Sequence, residues 1–154
     1  MPQALPGRKK SLAEKAHFNY MLHNINHLYV GMPVLILLDL SYPSRFWTQY
    51  EAWLAMQSVS EEGLFPTPKA SRRCAIVPIS NANSMAVESL EGMWAQKTPE
   101  EAHAALSRPD VHVTNETDKE MHLPKILTFD EKVRASFAGG GATTTSVEIF
   151  TQPK

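Results

Sequence analysis

The sequence predicts an α/β fold, a short parallel β-sheet flanked by helices, and three observations carry that reading. Two apolar runs, VLILLD at residues 34–39 and CAIVPI at residues 74–79, have the length and composition of buried strands. Helix-opening signals stand around them, at Ser11 before the first run and at Thr98 after the second. Helical and strand patterns alternate along the chain, which implies parallel strands and a ligand crevice beyond their carboxyl ends. In this chain that crevice would be lined by residues 39–45 and 80–84.

Taken in order, residues 1–10 hold two prolines and the bases Arg8, Lys9 and Lys10 without an apolar period, and read as an N-terminal arm. Ser11 and Glu14 have capping-box spacing, in which hydroxyl and carboxylate satisfy each other's backbone N–H groups. Phe18, Met21, Leu22, Ile25, Leu28 and Tyr29 then recur every three or four residues, so a helix is expected over residues 12–29, with Gly31 ending it. The run 34–39 is apolar on both alternate faces and is expected to be covered on both sides. Pro43 restricts its predecessor and Ser44 is placed as N-cap, predicting a helix over residues 45–57.

Residues 58–73 read as a loop. In the strand 74–79, Pro78 cannot donate to a ladder and should lie near an edge or an end. A turn at 81–84 precedes a helix carrying Met85, Leu90, Met93 and Trp94. Thr98, Pro99, Glu100 and Glu101 give an N-cap, a proline at the first helical position and acids in the first turn, for a helix stopping near Ser107. Val111 and Val113 permit a short strand, residues 114–120 read as polar loop, and residues 124–128 as a third strand. Thr128 and Glu131 repeat the capping-box spacing and predict a last helix to about Phe137. The α/β domain thus spans residues 11–137, followed at 138–154 by a flexible Gly/Thr-rich linker and tail.

The 154 residues suit one domain, and 15 Lys+Arg against 16 Asp+Glu leave a net charge of −1, with no general attraction to phosphate. Nucleic acid is therefore not expected. No apolar run approaches the ~20 residues of a membrane helix, and no signal peptide is visible. A soluble cytoplasmic protein is expected, and the lone Cys74 fits a reducing compartment.

The segment 45–57 holds the most chemistry. At ~100° per residue, Phe46, Trp47, Tyr50, Trp53 and Leu54 share one broad face, and Glu51 lies at its border. Partial burial there would raise the Glu51 pKa unless a donor compensates, with Arg45 and Gln49 as the local candidates. Such a carboxylate can orient a ribose hydroxyl or stabilise an oxocarbenium cation; it can equally be a structural Glu bonding a backbone N–H or an Arg.

Residues 42–51, YPSRFWTQYE, have the spacing Y-x-S-x-x-W-x-x-x-E directly after a buried strand. This resembles the third-strand-to-third-helix region of Toll/interleukin-1 receptor (TIR) domains, and is similar to TIR-related proteins of microalgae and to heterokaryon-incompatibility domains. The resemblance implies a TIR/flavodoxin-like sheet and an intracellular signalling or defence role. Glu51 would be catalytic in NAD-glycohydrolase chemistry, with NAD as substrate and no resident cofactor. Asp39, Ser41, Tyr42, Ser44, Arg45 and Trp47 would be substrate-binding residues, Trp47 also packing beside Glu51. Asp39 stands where many TIR domains have Ser, and Thr48 where Cys is common. Two strands would precede Val34 in that fold, so the chain is expected to be a shortened variant or one truncated at its N-terminus. The alternative is a non-catalytic interaction module of the same fold, with self-association or a TIR-like partner.

Other candidates have plainer readings. His23 and His27 are four apart on one helix but lack the Glu of H-E-x-x-H, and no metal is expected. Cys74 is expected to be a core thiol, Gly139, Gly140 and Gly141 a linker or helix terminator, and the Asn/Ser-rich residues 80–84 a turn.

Overall fold

The computed structural model describes residues 11–113 and 116–139. The expected arm 1–10 and nearly all of the expected linker and tail 138–154 lie outside them. The protein is mixed α/β. Helix α1 (Leu12–His23) begins at the capping box that Ser11 and Glu14 form, and helix α2 (Ile25–Gly31) follows. The expected single helix is thus two, because Asn24 donates its backbone N–H to Tyr20 and Met21 and its side-chain amide to the Tyr20 carbonyl, closing the first helix. No residue of α1 is buried, whereas α2 packs on the helix after the first strand.

Strand β1 (Val34–Leu38) leads through a 3-10 turn at Tyr42–Ser44 into α3 (Phe46–Ala55). Arg45, not Ser44, is the N-cap, because Ser44 is the last residue of the 3-10 turn and its hydroxyl donates to the Ser41 carbonyl at 2.8 Å. Helix α3 is the centre of the core: Phe46, Tyr50, Trp53 and Leu54 are fully buried, and Ala52 lets neighbours close in on the opposite side. A helix apolar nearly all round must be covered nearly all round.

Gln57, expected to end the helix, and residues read as loop form a hairpin of β2 (Gln57–Ser60) and β3 (Gly63–Pro66). Gly63 holds φ +107°, a backbone region that favours glycine, and a Cβ there would run into the Asp130 carboxylate and the Arg134 guanidinium. Strand β4 (Cys74–Pro78) pairs with β1 in parallel, Val34 opposite Cys74 and Leu38 opposite Pro78, so Pro78 does lie at a strand end. Helix α4 (Ser84–Trp94), capped by Asn83, packs back on β4. Helix α5 (Pro99–Leu106) starts at the Thr98 capping box.

Helix α6 (Glu116–His122) occupies the segment read as polar loop, and α7 (Lys125–Ala138) replaces the expected third strand at 124–128. Helix α7 needs no box at Thr128: Pro124 is its N-cap residue, and Ile126, Phe129 and Val133 recur at helical spacing against the core. Thr128 sits within the helix, its hydroxyl donating to the Pro124 carbonyl. The segment with Val111 and Val113 makes only an isolated bridge, between Arg45 and His112.

Ile36 and Leu38 face the core, but among the described residues nothing covers the other face of the parallel pair. Leu35 is 63% exposed, Leu37 51% and Val77 43%, so the expectation of cover on both sides is corrected. Apolar composition on both faces allows burial on both faces without supplying the second cover. Among the described residues, no helix is long and apolar enough to cross a membrane.

Candidate functional site

The carboxyl ends of β1 and β4 lie side by side, the Ile79 N–H donating to the Leu38 carbonyl at 2.8 Å. The segments 39–45 and 80–84 therefore leave the sheet together, as the parallel pattern implies. Asp39 begins the first of them. Its carboxylate accepts from the Ser41 hydroxyl at 2.9 Å and pairs with Arg45 at 3.3 Å, and these contacts, the Ser41 bond above all, hold its pKa below the usual carboxylate value. Tyr42 N–H donates to the Asp39 carbonyl, and Thr48 Oγ1 to the Tyr42 carbonyl at 2.6 Å, tying the turn to the first turn of α3. On the other side Ser80 adopts φ +55°, left-handed geometry costing about 1 kcal/mol or more for a residue with a Cβ. Asn83 accepts from the Ala86 N–H, so that part of the segment is helix capping.

Glu51 lies on α3 at the border of the buried face, and desolvation raises its pKa above the usual value. The group that opposes that rise is the Tyr29 phenol, carried on α2. Arg45 and Gln49, the partners expected from spacing, act elsewhere. Arg45 turns to Asp39, and the Gln49 amide nitrogen is buried without a hydrogen-bond partner among the described residues. Tyr42 is the third member of the group. Its phenol, raised by burial, senses the Glu51 charge and the Cys74 thiol, and the Arg45 guanidinium stands 5.9 Å from the centre of its ring. Tyr42, itself buried, is thus the electrostatic link between Tyr29 and Glu51 on one side and Cys74 on the other, and it adjoins Arg45 of the Asp39 pair.

Tyr29 is the residue that sequence reasoning missed in this role. It appears there only as one apolar position of a helical stripe, and its phenol meets Glu51 because α2 packs on α3. Trp47 sits one turn before Glu51, and its ring meets Phe46, Tyr50 and His122, the last at 4.6 Å edge to face. Cys74 is half-buried, and burial raises its pKa despite Arg72 and Arg73 nearby.

His23 and His27 are both exposed and point to different neighbours, the Asn19 carbonyl and the Phe129 ring. Among the described residues no group of three or more His, Cys, Asp or Glu side chains could hold a metal ion. Elsewhere, an open cavity of about 390 Å³ is lined by Pro109, Val111, His112, Val113, Lys119 and Glu120, and its Lys119 ammonium already donates to the Arg108 and Val111 carbonyls.

Comparison with protein-family models, with curated proteins and with solved structures gives no match, so the functional argument rests on these residues and their arrangement.

Proposed function

We propose that the chain is a TIR-like α/β domain that cleaves NAD at its nicotinamide glycosidic bond, with Glu51 as the carboxylate that serves the reaction. The observation that carries the proposal is a partly desolvated carboxylate, its rise in pKa opposed by the Tyr29 phenol, on the helix that follows a polar turn at the carboxyl ends of two parallel strands. The topology supports it. In a flavodoxin-like sheet the third and fourth strands are parallel neighbours joined through a helix; here β1 and β4 are parallel neighbours whose connection holds α3 and, in addition, the hairpin of β2 and β3.

Ionised Glu51 would accept from a ribose hydroxyl and stabilise the oxocarbenium centre as the C–N bond breaks. The bonding pair leaves with neutral nicotinamide, and water adds to C1′ and releases a proton, giving ADP-ribose. Ser41, Ser44 and Arg45 on the turn would receive the polar parts of the nucleotide, Asp39 positioning Arg45. Because the reaction needs Glu51 ionised, cleavage should rise with pH through a value above that of an ordinary glutamate. The test is nicotinamide release from NAD by the purified chain. Glu51→Gln should lower it by about 100-fold or more, as loss of a transition-state charge does; equal release by both proteins would remove Glu51 from the reaction. The second reading, a non-catalytic interaction module of the same fold, is favoured by Tyr29, whose phenol offsets part of the cost of burying Glu51 as the partner of a structural carboxylate would. Undetectable release by the wild-type chain would support it.

A further inference from the structure

Among the described residues, one long side of β1 in the parallel pair with β4 has no partner strand. In a parallel ladder alternate residues turn their backbone groups to opposite sides. Val34 donates to the Arg73 carbonyl and Leu38 accepts from Ile79, so Val34, Ile36 and Leu38 serve β4. Leu35 and Leu37 therefore direct their N–H and C=O groups away from it, and among the described residues nothing bonds them. Their side chains are also the exposed ones, on the open face described above. Proteins usually protect such an edge with a charge, a proline or a bulge, and the run VLILL has none.

We propose that this edge pairs with the same edge of a second copy of the chain, giving a four-stranded sheet in the order β4, β1, partner β1, partner β4. The argument for a second copy is self-complementarity. A two-fold axis beside Ile36 makes the two strands antiparallel, as symmetry requires of identical edges. Leu35 then stands opposite the partner's Leu37, and Leu37 opposite the partner's Leu35. Each pair exchanges two backbone hydrogen bonds, four in all, and four leucines meet on the open face.

The area sets the strength. Two half-exposed leucines and the backbone of a five-residue edge offer on the order of 300–400 Å² per copy, well under the ~800 Å² of a standard interface, so the dimer is weak and depends on concentration. The inference is independent of whether Glu51 cleaves NAD.

The test follows the full-length chain by sedimentation velocity from about 1 µM to about 1 mM, a range spanning about 4 kcal/mol of association free energy. Backbone amide exchange is read over the same series. The expected result is a monomer–dimer equilibrium in which the Leu35 and Leu37 amides become protected as concentration rises. Leu35→Lys, a change at an exposed side chain, should weaken the dimer by about tenfold or more, since symmetry places two like charges in it. Leu37→Pro, which removes a donor facing the open edge and none facing β4, should do the same while the monomer stays folded. A chain that remains monomeric at the highest concentration overturns the proposal. So does a dimer whose Leu35 and Leu37 amides exchange freely, or protection independent of concentration, which would mean that the chain covers its own edge.

Discussion

Asp130 and Gly63 show how much one long-range polar contact can settle. The buried Asp130 carboxylate accepts from the Leu64 N–H at 2.7 Å and pairs with Arg134 at 2.5 Å, fixing the hairpin to α7 across 66 residues of sequence. Gly63 is required twice there, by its positive φ and by the absence of room for a Cβ. Gly63→Ala should therefore destabilise the protein by about 3 kcal/mol, the sum of backbone strain and displacement of a buried carboxylate. Urea denaturation followed by tryptophan fluorescence measures it, and a loss below about 1 kcal/mol would show that the hairpin yields cheaply. Glu51 belongs to the same scale. Its position at the edge of an apolar face was legible from helical spacing, and so was its raised pKa. The group that opposes that rise was not, because Tyr29 lies on a different helix.

At the scale of elements, two capping boxes of the same kind should behave differently when broken. Thr98 opens α5, which buries Pro99, Ala102 and Leu106 in the core, so Thr98→Ala should cost about 1 kcal/mol of global stability. Ser11 opens α1, which has no fully buried residue, so Ser11→Ala should speed amide exchange within α1 and leave the global transition nearly unmoved. Differential scanning calorimetry and exchange on both variants test the contrast, and an equal fall in Tm would refute it. These boxes were readable because cap and acid lie three residues apart. Elements fixed by distant partners were not. Residues 57–66 are polar enough for a loop, and become a hairpin through Asp130 and through the Thr67 N–H to Met56 carbonyl bond. The box spacing at Thr128 and Glu131 is present in sequence and unused, since Ile126 already belongs to the buried stripe of a helix begun at Lys125. For β1, composition identified the strand and its parallel partner and could not reveal that one face stays open.

For the whole molecule, His122 couples folding to pH. It is buried against Trp47, and its Nδ1 lies 3.3 Å from the Lys125 ammonium. Burial first, then Lys125, lower its pKa from 6.5 to about 4; Asp118 opposes them, and His23 adds the smallest lowering effect. Between those values the unfolded chain binds a proton that the folded chain refuses, so His122 lowers stability as pH falls from 6.5 towards 4. His122→Gln should flatten the fall of Tm over that window, and parallel curves for the two proteins would exclude the histidine. The connection between the parallel strands carries a consequence for kinetics. Val34 meets Cys74 only after a forty-residue loop has closed, and that loop contains α3 and the hairpin. A loop of that size costs about 0.6 kcal/mol more with each doubling and returns nothing until it is shut. Helix α3 and the hairpin turn are local and should form ahead of it. The β1 and β4 contacts should then show φ-values near 0.2 and those within α3 values near 0.6. On that route, VLILL spends the longest part of folding as an apolar strand with neither of its edges occupied, so the refolding yield should fall as the protein concentration rises.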